Sequence, residues 1–109
     1  MQFIKKHSEY VNIQSDCKKF YSKYFIVLYQ KKNLQNTEFR LGITVSKKVG
    51  NAVTRNKIKR RIKSFYRQTK DIMLNNIDFI LIAKNNSSGS KWIDFQNDLN
   101  RILQKLETI

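Results

Sequence analysis

The sequence predicts a small α+β domain in which helices cover a β-sheet. Its 109 residues match the length of one domain rather than two. Hydrophobic residues make up 40% of the chain and aromatic residues 12%, which is enough for one core. Apolar positions recur with period two in some segments and at helical spacing in others. Together these observations predict a single domain over residues 1–109, in the order helix, strand, strand, basic helix, strand, helix.

The first part of the chain predicts one helix and two strands. A short helix is expected over residues 6–13. Residues 25–29 form a run of β-forming apolar residues, and residues 39–46 alternate between apolar and polar side chains. Because a polar connection over residues 31–37 joins these segments, we expect them to pair as antiparallel neighbours.

The last part predicts a buried strand, a loop and a helix. Ile77–Ala83 is apolar on both faces except at Asp78, which is typical of a central or covered strand. Residues 85–90 are rich in Asn, Ser and Gly and predict a loop that ends at Ser90, a candidate N-cap. The following helix carries an apolar stripe that predicts core packing. The stripe consists of Trp92, Phe95, Leu99, Ile102, Leu103 and Leu106.

Charge sets this chain apart from an ordinary small domain. It carries 22 Lys and Arg against 8 Asp and Glu, a net charge of +14. Half of the basic residues lie between Glu38 and Asp71, a stretch without any acidic residue. Such an excess favours a polyanionic partner, nucleic acid first and an anionic membrane surface second. No apolar run approaches the roughly 18 residues of a membrane span, and the first residues do not form a signal peptide, so we expect a cytoplasmic protein.

The basic stretch has the periodicity of an amphipathic helix. Ile58, Ile62 and Phe65 recur at i, i+4 and i+7 and should face the core. The opposite face and its flanks are almost wholly cationic, with no acidic residue to form i,i+4 pairs. Those positions are Asn56, Arg60, Lys63 and Arg67, flanked by Arg55, Lys57, Lys59 and Arg61. A solvated helix face and a membrane-surface helix remain alternatives to an RNA-binding helix.

Residues for protein-based catalysis are scarce. The single cysteine, Cys17, cannot form an internal disulfide, and with a single His7 there is no zinc-binding set. We expect Cys17 to serve as a small apolar residue, and Asp94 and Asp98 to form the polar face of the last helix. There is no glycine-rich phosphate loop. These observations predict a binding protein with no metal site, no protein-bound small-molecule cofactor and no disulfide-linked partner.

The segment RLGITVSKKVGNAVTRNKIKRRIK, residues 40–63, closely resembles the signature of the bacterial ribonuclease P protein component. The similarity includes the strand, the turn from Gly50 to Val53 and the motif Arg55-Asn56-Lys57 that opens the helix. Element order and length are similar over nearly the whole chain. The resemblance implies a left-handed crossover through the basic helix. It also implies an RNA subunit that removes the 5′ leader of precursor tRNA with bound Mg²⁺, while the protein contacts that RNA and the leader.

The resemblance implies two sets of binding residues. The first set, placed against ribonuclease P RNA, is Lys47, Lys48, Asn51, Arg55, Asn56, Lys57, Lys59, Arg60, Arg61, Lys63 and Arg67. The second set lines a cleft between the first helix and the sheet that holds the single-stranded leader, with Tyr10, Val27 and Tyr29 as its wall and Arg55 at its edge. Gln14 stands where a second aromatic is common in the family. A general RNA-binding or ribosome-associated domain is the alternative function.

Overall fold

A five-stranded sheet organises the structure, a computed structural model that describes residues 2–31, 39–68 and 77–108. The strands are β1 (Gln2–Phe3), β2 (Lys18–Tyr21), β3 (Phe25–Lys31), β4 (Phe39–Thr44) and β5 (Ile77–Ala83). The helices are α1 (His7–Ser15), α2 (Ala52–Gln68) and α3 (Trp92–Glu107), with a short 3₁₀ helix at Asn85–Gly89. The strand order is β1-β4-β5-β3-β2. All six predicted elements are therefore present, which confirms the α+β class.

The strand β5 lies at the centre of the sheet, as its apolar sequence predicts. It pairs in parallel with β4 and antiparallel with β3. The prediction that β3 and β4 are antiparallel neighbours is therefore wrong, because β5 separates them. The chain crosses from β4 to β5 through α2, and the left-handed sense of that crossover stays a prediction from the resemblance. Apart from Lys31, the predicted connection over residues 31–37 lies outside the described residues.

Two strands at the sheet edges were not predicted. In β2 only Phe20 is buried, so the segment lacks the apolar alternation by which strands are identified. It pairs with β3 through a tight turn in which Ser22 N donates to Phe25 O at 2.8 Å. The two-residue β1 pairs in parallel with β4 and is too short to show any period.

The segment before α3 also differs from its prediction. Asn85–Gly89 forms a 3₁₀ helix rather than an irregular loop. Ser90 is not the N-cap of α3: the helix begins at Trp92 after Lys91, and Ser90 Oγ donates instead to Ser87 O at 2.8 Å. The hydroxyl therefore closes the preceding turn, an alternative that Ser side chains commonly adopt.

The main core fills the space between one face of the sheet and the helices α2 and α3. Ile58, Ile62 and Phe65 of α2 are buried there, as predicted. The predicted stripe of α3 is buried in the same core except for Trp92, which is 38% exposed. From the strands, odd-numbered residues such as Val27 and Phe79 point into this core, consistent with the period-two alternation of side chains.

The opposite face of the sheet packs against α1. Ile13 of α1 and Ile4 bury Ile80 of β5, with Tyr10 and Cys17 packed around them. Cys17 is half-buried, and its thiol donates to Gln14 O at 3.8 Å. This smaller cluster covers only part of the face, because α1 is nine residues long.

Asp98 does not lie on the polar face of α3, and that prediction is wrong. Its side chain is 1% exposed and accepts hydrogen bonds from Ser22 Oγ at 2.8 Å and from the backbone N–H groups of Lys23 and Tyr24 at 3.1 and 3.0 Å. These bonds satisfy the buried carboxylate and fix the β2–β3 turn against α3. No helix in the described part of the chain is long and apolar enough to cross a membrane.

Candidate nucleic-acid interface

The start of α2 is built by three residues that follow β4. Val49 is buried and anchors the turn, while Asn51 Oδ1 accepts a hydrogen bond from Thr54 N at 2.9 Å and caps the helix. A side chain at Gly50 would place its Cβ 2.9 Å from Thr54 Cγ2, so glycine is needed at this close approach. Asn51, predicted to bind RNA, thus has a structural role whatever it contacts. The exposed Lys47 and Lys48 lie on the same turn.

The outer face of α2 carries five of the eleven predicted RNA-binding residues. Asn56, Lys59, Arg60 and Lys63 line a shallow surface pocket of about 390 Å³. Arg67 follows Lys63 by one helical turn and is exposed. We call Asn56, Lys59, Arg60, Lys63 and Arg67 the outer α2 face.

The charges of this face have no carboxylate partner in the described part of the chain. In residues 2–31, 39–68 and 77–108, no carboxylate forms an ion pair with a Lys or Arg of α2. Like charges on successive helical turns repel one another and cost stability until an anion binds. The arrangement therefore favours a partner that carries closely spaced negative charges.

Three other predicted RNA-binding residues of α2, Arg55, Lys57 and Arg61, lie outside this group. The Arg61 guanidinium lies over the Trp92 ring, 5.2 Å from its centroid, so this side chain faces α3. Lys57 is exposed one turn before Arg61. Arg55 is half-buried, and its Nε is shielded from solvent without a hydrogen-bond acceptor among the described residues. The structure thus separates Arg61 from the outer α2 face.

A second pocket, of about 350 Å³, connects α2 with the start of the chain. Lys59, Lys63 and Arg67 line it from α2, and Tyr10 lines it from α1. Lys63 Nζ and the Arg67 guanidinium lie over the ring of Phe3, 5.3 and 5.5 Å from its centroid. Cationic side chains therefore extend from α2 towards Tyr10.

Tyr10 closes an open stretch of the β4 edge. Its hydroxyl accepts a hydrogen bond from Ile43 N at 3.1 Å and donates to Ile4 O at 3.3 Å. The ring lies against Gly42, where a Cβ would come within 2.8 Å of Tyr10 Cε1. Only a residue without a side chain lets the ring approach so closely, so Gly42 determines where Tyr10 sits on the sheet.

Three charged residues fix α1 to the sheet. The Arg40 guanidinium donates to both carboxylate oxygens of Asp78, at 2.9 and 2.8 Å, and also to Glu9 of α1. Asp78 is 2% exposed, and this fork compensates its buried charge. The hydrogen bond to Asp78 raises the pKa of the Arg40 guanidinium above its usual value. Asp78, the only polar residue of β5, therefore positions α1.

The predicted wall of the leader cleft is not assembled as expected. Val27 is fully buried in the core beneath α2 and α3, and Tyr29 packs on the same side, with its ring 5.8 Å from that of Phe20. Tyr10 belongs to the opposite face. Val27 therefore cannot line a cleft beside α1. Tyr29 is half-buried and borders a surface pocket of about 270 Å³ with Asp16, which directly follows α1, so its contact with the leader stays a prediction.

The face that does adjoin α1 presents a different set of residues. Tyr21, Ile26, Ile82 and Thr44 are consecutive cross-strand partners on β2, β3, β5 and β4. Tyr21 is 60% exposed, and the other three are half-buried. We call these four residues the open row. The alternation of the sequence places Ile26 and Val27 on opposite faces of the sheet. Only the position of α1 shows that the face with Ile26 is the one left partly uncovered.

Comparison with known proteins assigns the chain to a family. The family model described as ribonuclease P matches residues 1–107. The chain belongs to the ribonuclease P protein family. It is 41% identical to the ribonuclease P protein component of Macrococcus caseolyticus, covering 93% of this chain and 86% of the relative. It is 39% identical to that of Syntrophus aciditrophicus, covering 94% and 84%.

The fold agrees with this assignment. The ribonuclease P protein of Staphylococcus aureus superposes with a TM-score of 0.83 at 35% identity, covering 94% of this chain and 92% of that one. Each member of the family is the protein component of ribonuclease P, an endoribonuclease holoenzyme that processes the 5′ end of tRNA. A ribonuclease P RNA subunit and a tRNA substrate are the partners that this membership implies.

Proposed function

We propose that this chain serves ribonuclease P through two separate RNA-binding surfaces. The outer α2 face binds phosphates of the catalytic RNA, and the cleft between α1 and the sheet binds the single-stranded 5′ leader of precursor tRNA. In this proposal residues 1–109 act as one RNA-binding domain in the cytoplasm, and Mg²⁺ is bound by the RNA rather than by protein side chains.

The clustered cations of the outer α2 face carry the first half of the proposal. Lys59, Arg60 and Lys63 converge on one pocket without a neighbouring carboxylate among the described residues. Neutralising RNA phosphates releases condensed counterions, which supplies sequence-independent affinity. Lys47, Lys48 and Arg55 extend this surface towards the end of β4, whereas Arg61 is engaged with Trp92.

The open row and Tyr10 carry the second half. A half-exposed strip of aliphatic side chains beside an α1 tyrosine can pack against unstacked bases, which single-stranded RNA exposes and a duplex hides. Thr44 lies on β4 two residues beyond Gly42, on which the Tyr10 ring rests. Ile26, Ile82 and Thr44 thus replace Val27 as the floor of the leader cleft, with Tyr10 at its side.

A carboxylate placed on that floor tests the leader cleft. In the reconstituted holoenzyme, Thr44→Glu should weaken binding of leader-bearing precursor tRNA more than binding of mature tRNA, because the new charge repels leader phosphates. Gln104→Glu is the matched control, since it makes the same change in charge at an exposed position of α3. Equal losses on precursor and mature tRNA, in a variant that remains folded, would overturn the leader assignment.

A further inference from the structure

The open row ends at an aromatic side chain that the core does not use. Tyr21 is 60% exposed and lies on the edge strand β2. Lys84 Nζ and Lys19 Nζ lie over its ring, 5.7 and 5.9 Å from the centroid. Lys19 points to the same side of β2 as Tyr21, because the two are separated by one residue. An exposed ring between two ammonium groups combines a stacking surface with phosphate-neutralising charge.

The strand that carries Tyr21 is held rigidly from behind. Lys84 Nζ donates to Ser22 O at 2.6 Å, and Asn86 Nδ2 donates to Lys23 O at 3.1 Å. The buried Asp98 binds the same turn through three hydrogen bonds. Tyr21 therefore lies beside a preorganised turn, so a ligand that stacks on it does not first have to order this segment.

The charge around Tyr21 suits an anionic ligand. The carboxylate that binds this turn belongs to Asp98 of α3. It is 1% exposed and already accepts hydrogen bonds from Ser22, Lys23 and Tyr24, so it does not face a ligand on Tyr21. Lys84 is anchored to Ser22 O, whereas the exposed Lys19 lies near the 6 Å limit of a cation–π contact and can turn to a phosphate.

We propose that Tyr21, flanked by Lys19 and Lys84, is a second stacking platform that holds a leader nucleotide beyond the α1-side cleft. The inference rests on the proposed leader-binding function. From Thr44 to Tyr21 the open row crosses three strand spacings, about 14 Å. The half-buried side chains of Ile26 and Ile82 lie between the two ends. Cations lie at both ends: Lys47 and Lys48 follow Thr44 in the sequence, and Lys19 and Lys84 flank Tyr21.

The test measures binding by the reconstituted holoenzyme of two precursor tRNAs, one with a long leader that can reach Tyr21 and one with a single leader nucleotide. Tyr21→Ala should weaken binding of the long-leader precursor about 5- to 150-fold, the range for losing one stacked base, and leave the short-leader precursor unchanged. Tyr21→Phe should bind like the wild type because it keeps the ring. Ile93→Ala, at an equally exposed position of α3, should change neither.

Each other outcome has a distinct meaning. If the wild-type holoenzyme prefers the long leader and Tyr21→Ala retains that preference in full, the platform at Tyr21 is wrong while the leader cleft stands. Equal losses by Tyr21→Ala on both precursors would also overturn the platform. If the wild type itself does not distinguish the two leaders, leader binding by this protein is wrong, and the platform falls with it.

Discussion

The outer α2 face and the open row lie on different parts of the same small domain and differ in chemistry. Lys59, Arg60 and Lys63 present three positive charges, whereas Ile26 and Ile82 present uncharged aliphatic side chains. A charged face binds phosphates at any sequence and weakens as salt rises. An apolar and aromatic strip binds exposed bases by stacking on them. Under the proposed function, the domain recognises a folded RNA by its backbone and a single strand by its bases.

The largest expected effect is on the stability of the fold and comes from Arg40, which joins Asp78 of the sheet to Glu9 of α1. Arg40→Met should lower the free energy of unfolding by about 3 to 5 kcal/mol, because it leaves the Asp78 carboxylate buried without its fork. Urea unfolding measures this loss. The double variant Arg40→Met with Asp78→Leu should regain much of it, since no buried charge then remains. A loss below about 1 kcal/mol in the single variant would show that the Arg40 fork does not compensate the buried charge of Asp78.

The next effect separates two adjacent arginines on α2. Arg60→Gln combined with Lys63→Gln should reduce the salt dependence of catalytic-RNA binding by about 1.4 to 1.8 in log–log slope, since each phosphate contact contributes about 0.7 to 0.9. Titration of the catalytic RNA at several salt concentrations gives the slope. Arg60→Gln alone should lower the slope by about 0.7 to 0.9. Its matched control, Arg61→Gln, should leave the slope unchanged, because Arg61 stacks on Trp92. Equal changes for Arg60 and Arg61 would remove the distinction between the two sides of α2.

The smallest effect concerns the helix start that orients the charged face. Asn51→Ala should cost about 1 kcal/mol of stability, because it removes the side-chain acceptor for Thr54 N. The first turn of α2 contains no acidic residue that could take over this role. Thermal unfolding measures the loss, and Asn51→Asp should retain the cap. An Asn51→Ala variant as stable as the wild type would contradict the capping role and leave RNA contact as the only role of Asn51.

The two surfaces also differ in how far the sequence predicts them. The basic helix is local: the spacing of Ile58, Ile62 and Phe65 assigns its inner side, so its outer side follows without knowledge of the rest of the fold. The leader cleft depends on which face of the sheet α1 covers, a tertiary choice that alternation within β3 cannot decide. Val27 is accordingly buried in the core instead of lining the cleft.

Sheet order was unpredictable for a related reason. The parallel pairing of β4 with β5 arises because α2 lies between them in sequence, and no local pattern distinguishes this from a hairpin of β3 with β4. Asp98 was misjudged because its partners, the backbone N–H groups of the β2–β3 turn, are more than 70 residues away in sequence. Helical spacing alone gave no sign of that contact.

The most direct test of the central claim is cleavage of a 5′-extended precursor tRNA at near-physiological Mg²⁺. It compares the protein alone, a matched catalytic RNA alone and the two together. Strong cleavage only in the mixture is the predicted result, because the protein supplies RNA-binding surfaces and the RNA supplies the chemistry. A folded protein that leaves the mixture no more active than the RNA alone would contradict the account.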